Sequence, residues 1–176
     1  MSADLIVFLA GTAAIVVFSW RFSIRAGRYH GIARFFAFDG LWALFVINRR
    51  VWFARPFSPP QLLSWFFLFA SLGLAVAGAW LLVRRGRPEG QIENTTKLVT
   101  TGLYRYLRHP LYASLFYLGL GIWLKGIDGA SSLLLAAVVA AVMATALIEE
   151  GEMKARFGDE YAAYMKTTKR FVPFLF

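Results

Sequence analysis

Five apolar runs divide this chain, at 5–20, 35–47, 62–83, 111–124 and 131–148, with basic, glycine- and proline-bearing segments between them. A helix needs about 20 residues, within a range of roughly 17–25, to cross the hydrocarbon core of a bilayer. The third and fifth runs meet that length. The first is slightly short, but its flanking Trp20 and Arg21 can reach the interface. The second and fourth are short. The fourth and fifth read as a helical hairpin joined by Lys125-Gly126-Ile127-Asp128-Gly129, whose glycines and aspartate are turn chemistry.

The second run is interrupted by Asp39-Gly40 and followed by Arg49-Arg50. Read as a crossing, it gives five spans, with the amino terminus outside and the loops 21–34 and 84–109 and the tail in the cytoplasm. Only Arg49, Arg50 and Arg55 then violate the positive-inside trend. Read as a re-entrant helix, it exports the 84–109 loop and the tail, which violates the trend more severely. The five-span reading is therefore preferred: an all-α, polytopic membrane protein. Asp39 reads as a turn residue at a broken helix rather than a buried functional acid. Ala136, Ala140 and Ala144, like Gly73 and Ala77, recur at i, i+4 spacing and read as packing seams between helices. Beyond residue 148, Met153, Phe157, Tyr161, Tyr164 and Met165 share one helical face. With Gly158 as a stop and Asp159 as a cap, the tail is expected to form two short amphipathic helices on the cytoplasmic face.

Composition supports this picture. The chain of 176 residues is 59% hydrophobic and 16% charged, where an ordinary soluble domain is about 25% charged. Its length indicates one domain. The net charge of +9 alone suggests nucleic acid, but Arg21, Arg25, Arg28 and Arg34 follow one apolar run and Arg84, Arg85 and Arg87 another. Those are the positions of cytoplasmic flanks, and nucleic-acid binding is excluded as the reading. Without cysteine there is no disulfide, thiolate nucleophile or cysteine metal site, and with only His30 and His109 no metal site is expected. The amino terminus carries Asp4 rather than a basic cluster, so the first run is expected to stay as a helix.

Ionisable residues at the ends of apolar runs need partners or a function. Arg108-His109-Pro110 opens the fourth run. Proline suits the first position of a helix, whose N–H groups and dipole favour an anion. Arg108 and His109 thus make either a carboxylate or phosphate site or an interfacial anchor. Glu149-Glu150 follows the fifth run without a spacer. The hairpin returns these acids to the leaflet of Pro110, so they are expected near Arg108 and His109, as ligand-binding groups or as an ion pair closing the hairpin. Tyr104, Tyr106 and Tyr112 can stack on a ligand or form an interfacial belt. Gly102 suggests a turn that brings backbone close to a ligand. Arg170 and Pro173 either clamp the site or face lipid. No dinucleotide glycine motif, phosphate-binding loop or nucleophile elbow occurs.

The run 98–114, Leu-Val-Thr-Thr-Gly-Leu-Tyr-Arg-Tyr-Leu-Arg-His-Pro-Leu-Tyr-Ala-Ser, resembles the central motif of the isoprenylcysteine carboxyl methyltransferases and their phospholipid N-methyltransferase relatives. Glu149-Glu150, Met153, Phe157-Gly158, Tyr161, Tyr164, Arg170 and Pro173 resemble the carboxyl-terminal signature of that superfamily. The likeness covers 98–176, the cofactor-binding hairpin and tail, and leaves 1–97 as variable helices of the same single domain. It departs at Ser114, where many relatives carry glycine, and at Gly151, which weakens the acidic helix. The resemblance implies S-adenosylmethionine as methyl donor, contacted by Gly102, Tyr104, His109, Pro110, Tyr112, Glu149 and Glu150. It places Arg108 near the acceptor and Glu150 as proton acceptor where that acceptor is an amine. It further implies a lipophilic or lipidated acceptor drawn from membrane lipids and an active site facing the cytoplasm. Isoprenylcysteine carboxyl methylation is the first expectation, phosphatidylethanolamine-type N-methylation the alternative, and an NADPH-dependent sterol-type reductase the rival of another class.

Overall fold

The computed structural model describes residues 2–25, 30–89 and 95–173. Five helices carry the fold: α1 (Ala3–Ser19), α2 (His30–Asn48), α3 (Pro59–Gly86), α4 (Pro110–Trp123) and α5 (Gly129–Thr167). A π-helical turn, Trp20–Ile24, extends α1. Their starts follow local chemistry. The Ser2 side chain accepts from the Leu5 N–H, and prolines occupy the first turns of α3 and α4. Asp128 caps α5 by accepting from the Ser131 N–H at 2.7 Å, while Ser131 Oγ accepts from the Asp128 N–H at 3.0 Å. That backbone bond holds the Asp128 carboxyl below its ordinary range.

The pairs α1–α2, α2–α5 and α3–α4 pack antiparallel, while α2 and α4 run parallel, with Gly119 against Leu41. Along α3 and α4, Ser64 Oγ donates to the Gly121 carbonyl at 2.6 Å and Ser71 Oγ to that of Ser114 at 2.8 Å, while Gly78 lies against Pro110 and Leu111. Short hydroxyl-to-carbonyl bonds of this kind join helices where lipid removes the hydrophobic drive. Along α2 and α5, His30 meets Glu152 at one end, Gly40 touches Val138 in the middle, and Asn48 abuts Gly126 at the other. Between α1 and α2, Thr12 donates to Asp39 at 2.7 Å and Trp42 to the Phe8 carbonyl at 3.1 Å. The core between these layers is built on Leu44, Ala113, Val138, Val142 and Ala146, each at most 1% exposed. Two ends result: one gathers residues 20–25, 30, 84–89, 95–109 and 149–173, the other 49–61 and 124–131.

Among the described residues, four helices are long and apolar enough to cross a membrane: α1 with its π-helical turn at 22 residues, His30–Val51 at 22, α3 at 28 and α5 at 39. The polytopic all-α fold is as expected, and the second run is one uninterrupted helix. The fourth run forms only 14 helical residues, about 21 Å at 1.5 Å per residue. It starts inset because 102–109 folds back against α3, with Gly102 at φ +65° in contact with Leu81.

Three expectations are corrected. The first tail helix is not separate from the fifth run, although Gly158 does divide two helical segments as expected. Helix α5 continues through Glu149 and Glu150 to a kink at Gly158, φ 55° and ψ −129°, so the acids lie within a helix and meet no terminal dipole. Asp39 breaks nothing; it sits inside α2 and accepts from Thr12. The alanine stripe is not the seam. Ala136 and Ala140 are exposed and a Cβ added at Gly73 would meet open space, while α5 buries Val138, Val142, Thr145 and Ala146 instead. Arg28, read as a basic flank, lies outside the described residues.

Candidate active site at the hairpin ends

The site end is assembled by backbone before it is assembled by side chains. Residues 106–109 run beside 169–170: the Lys169 N–H donates to the Tyr106 carbonyl at 3.1 Å, and the Arg108 N–H returns to the Lys169 carbonyl at 2.7 Å. The Tyr164 hydroxyl donates to the Tyr104 carbonyl at 2.6 Å. The tail is thereby stitched to the segment that precedes α4, and Arg170 comes beside α5.

At the centre of this junction is Glu150, 4% exposed. Arg108 Nε donates to its Oε1 at 3.0 Å, and Arg170 Nε and Nη2 donate to Oε1 and Oε2, each at 3.0 Å. His109 Nε2 stands 3.4 Å from Oε1 but is angled away from a hydrogen bond, and that nitrogen is buried without a hydrogen-bond partner. Arg108 also donates through Nη1 to the carbonyls of Met165 and Thr168. A buried carboxylate held by two guanidiniums is compensated; removing one partner would strand the others.

Beside this cluster lies a cavity of about 290 Å³, near the lower end of the roughly 300–1,000 Å³ typical of ligand pockets. Its polar wall is Thr95, Tyr104, Arg108, His109, Tyr112, Ser114, Glu149, Tyr161 and Tyr164, with Arg34 from α2. Its apolar wall comes from Phe18, Phe38, Leu82, Leu98, Val99, Leu111, Leu115 and Met153. Successive residues of a helix point about 100° apart, so the two adjacent acids part company. Glu150 turns into the ion-pair cluster, whereas Glu149 faces the cavity and makes no hydrogen bond or ion pair with any described residue. Burial, and then the Glu149 charge, push the Tyr104 phenol above its ordinary value, so it stays protonated as a donor. The ring of Tyr112 stacks on His109 at 5.4 Å between centroids.

Of the residues singled out from the sequence, Tyr104, Arg108, His109, Tyr112 and Glu149 line the cavity. Gly102, Pro110 and Glu150 do not. Gly102 lies against Leu81, Pro110 packs under Gly78, and Glu150 is enclosed by arginines. Tyr161, Tyr164 and Met153 come from the tail face recognised in the sequence. Arg34 was read as a flank of the first run, yet it lies inside α2 and is 6% exposed. Its signal was a charge within a long apolar segment. Phe18, Phe38 and Leu82 carried none. Among the described residues no group of histidine, aspartate and glutamate is placed to hold a metal ion.

The arrangement offers an anion-favouring helix start at Pro110, a carboxylate, phenols and an apolar wall, all at the end of a membrane hairpin. Comparison with curated proteins and with solved structures finds no match. The family model of phospholipid methyltransferase matches residues 61–160, a stretch that takes in α3, the 102–109 segment, α4 and the α5 acids. Covering more than half the chain and agreeing with the motif resemblance, the match places this protein in the phospholipid methyltransferase family of membrane methyltransferases.

Proposed function

We propose that this protein transfers a methyl group from S-adenosylmethionine to a lipophilic acceptor held in the cavity beside Glu149. The observation that carries the reading is the cavity itself, where one wall supplies polar groups suited to a zwitterionic, hydroxylated donor and the other supplies hydrocarbon contact. S-adenosylmethionine, when bound, supplies an electrophilic methyl carbon on a positively charged sulfur. The residues present fit it. Glu149 can accept from ribose hydroxyls or balance the sulfonium and amino charges, and the start of α4 with His109 favours the carboxylate. Tyr104 and Tyr112 offer aromatic faces. Glu150 and Arg170 act from behind, fixing Arg108 and closing the tail over the site.

Such a displacement needs alignment and exclusion of water more than a covalent intermediate. The tail stitched to 106–109 supplies both. A carboxylate acceptor, as in isoprenylcysteine carboxyl methylation, needs no base. A phosphatidylethanolamine-type amine does, and a specific observation favours this second reading: Glu149 is the cavity carboxylate available to take that proton, a role first expected of Glu150. With its cationic loops inside, the site faces the cytoplasm.

The test is a titration of S-adenosylmethionine and of NADPH against the detergent-solubilised protein. Saturable binding of the methyl donor, with transfer of label to phosphatidylethanolamine or to a prenylcysteine carboxylate, is the expected result. Saturable binding of NADPH in its place would overturn the reading in favour of a reductase.

A further inference from the structure

We infer that the site end binds anionic phospholipids of the surrounding leaflet at the rim of the cavity, with Arg21, Arg84 and Arg105 holding their phosphodiesters. This is boundary lipid rather than the methyl acceptor, so the inference stands apart from the methyl-transfer reading.

The three arginines are exposed and come from three elements: the π-helical turn after α1, the last turn of α3 and the turn Gly102–Arg105. None has a carboxylate partner or a hydrogen bond among the described residues. At the opposite end, by contrast, Arg49 and Arg50 are both neutralised by Asp4. The C-terminal dipoles of α1 and α3 favour a cation near their ends but cancel no net charge. The counter-charge is left for the surroundings to supply.

Aromatic neighbours set the depth of these charges. The guanidinium of Arg21 lies 6.0 Å from the centroid of Phe22, that of Arg84 5.9 Å from Trp80, and that of Arg105 6.0 Å from Tyr106. The rings of Phe22, Tyr106 and Trp80 belong to residues 40%, 46% and 55% exposed. Exposed aromatic rings at the ends of membrane spans settle at headgroup level. Arginines beside them are held at the level of lipid phosphates, where the guanidinium fork matches a phosphodiester by paired hydrogen bonds.

Each arginine also adjoins the cavity wall. Phe18, whose ring is 4.9 Å from that of Phe22, lines the cavity, as do Leu82, two residues before Arg84, and Tyr104, next to Arg105. Phe18 is itself 46% exposed, so the apolar wall reaches the lipid. A headgroup on these arginines sits at the lip of the cavity. Soluble phosphate meets the same fork, but only a lipid also gives the rings and the apolar wall hydrocarbon contact.

The experiment places the full-length protein in nanodiscs of equal parts dioleoyl phosphatidylglycerol and dioleoyl phosphatidylcholine, extracts it mildly and quantifies retained lipid by mass spectrometry. Phosphatidylglycerol carries a phosphodiester but neither amine nor carboxylate, so its retention is not acceptor binding. Wild type is expected to retain it about tenfold over phosphatidylcholine, the scale of one to two fully effective arginines at an anionic surface. Arg21→Gln, Arg84→Gln and Arg105→Gln combined should bring that ratio to within about twofold of unity, while Arg49→Gln with Arg50→Gln leaves it unchanged. Excess inorganic phosphate at matched ionic strength should not displace the lipid. A wild type without preference would overturn the inference. So would release by phosphate, a preference that survives the triple substitution, or one that falls as far in the Arg49 and Arg50 variant. Should the triple variant not fold, the three single variants decide: each should lower the ratio about twofold, and an unchanged ratio in all three overturns the inference.

Discussion

Both ends of the helical bundle carry charge, and they use it differently. At the end holding residues 49–61 and 124–131, Asp4 and the buried Lys125 are both answered locally. Asp4 is engaged by Arg49 and Arg50. Lys125 is 5% exposed, lies 3.7 Å over the Trp65 ring and 5.2 Å from that of Trp52, and donates to Gln61 Oε1 at 3.0 Å. Burial lowers its ammonium from the ordinary value, and an aromatic box is a stable place for a desolvated cation. At the site end the Glu150 cluster is equally closed, but Glu149 borders a cavity and has no ion-pair partner among the described residues. A charged residue at the end of an apolar helix is therefore not itself a sign of function. The sign is a charge that neighbours leave facing open space.

That contrast breaks most visibly at Glu150. Glu150→Gln removes the compensation of Arg108, whose side chain is 7% exposed, and should cost about 3–5 kcal/mol. The readout is a large fall in thermal stability in detergent, with donor binding lost alongside it. Next comes Glu149→Gln. It should leave the melting temperature unchanged and lower methyl transfer about 100-fold, the lower range for a positioned acid or base. Exchanging the two outcomes would reverse the roles assigned to the neighbouring acids. Lys125→Met at the opposite end strands Gln61 and should cost about 1–3 kcal/mol, with donor affinity intact once the protein is folded. Smallest is Ala136→Leu on the exposed face of α5, expected to change stability by no more than about 0.5 kcal/mol. A marked destabilisation would restore the alanine stripe as a packing seam.

Much of this architecture was legible in the sequence, and the remainder was hidden for physical reasons. Apolar runs and turn chemistry at 125–129 located the hairpin, and the hairpin predicted that Arg108 and His109 would meet the acids at 149–150. Arg108 and Glu150 are indeed bonded. What the pattern did not hold was helical phase. Whether Glu149 or Glu150 faces a cavity depends on where α2, α4 and the tail sit around α5, and no local motif encodes that. The expected helix end at Ile148 failed because a drop in hydropathy marks where lipid contact stops, not where backbone hydrogen bonding stops. Gly158, flagged as a breaker, is where the helix kinks, at positive φ. Arg34 escaped notice because its partner Ser23 and its cavity neighbours Phe18 and Phe38 belong to helices outside the motif-bearing half.

The most direct test is equilibrium binding of S-adenosylmethionine to the detergent-solubilised wild type, Glu149→Gln and Lys125→Met proteins side by side. The account predicts saturable binding to wild type and Lys125→Met, and affinity at least about tenfold weaker, a loss of roughly 1.4 kcal/mol, in Glu149→Gln. No saturable binding to wild type, or full affinity in Glu149→Gln with loss in Lys125→Met, would contradict it.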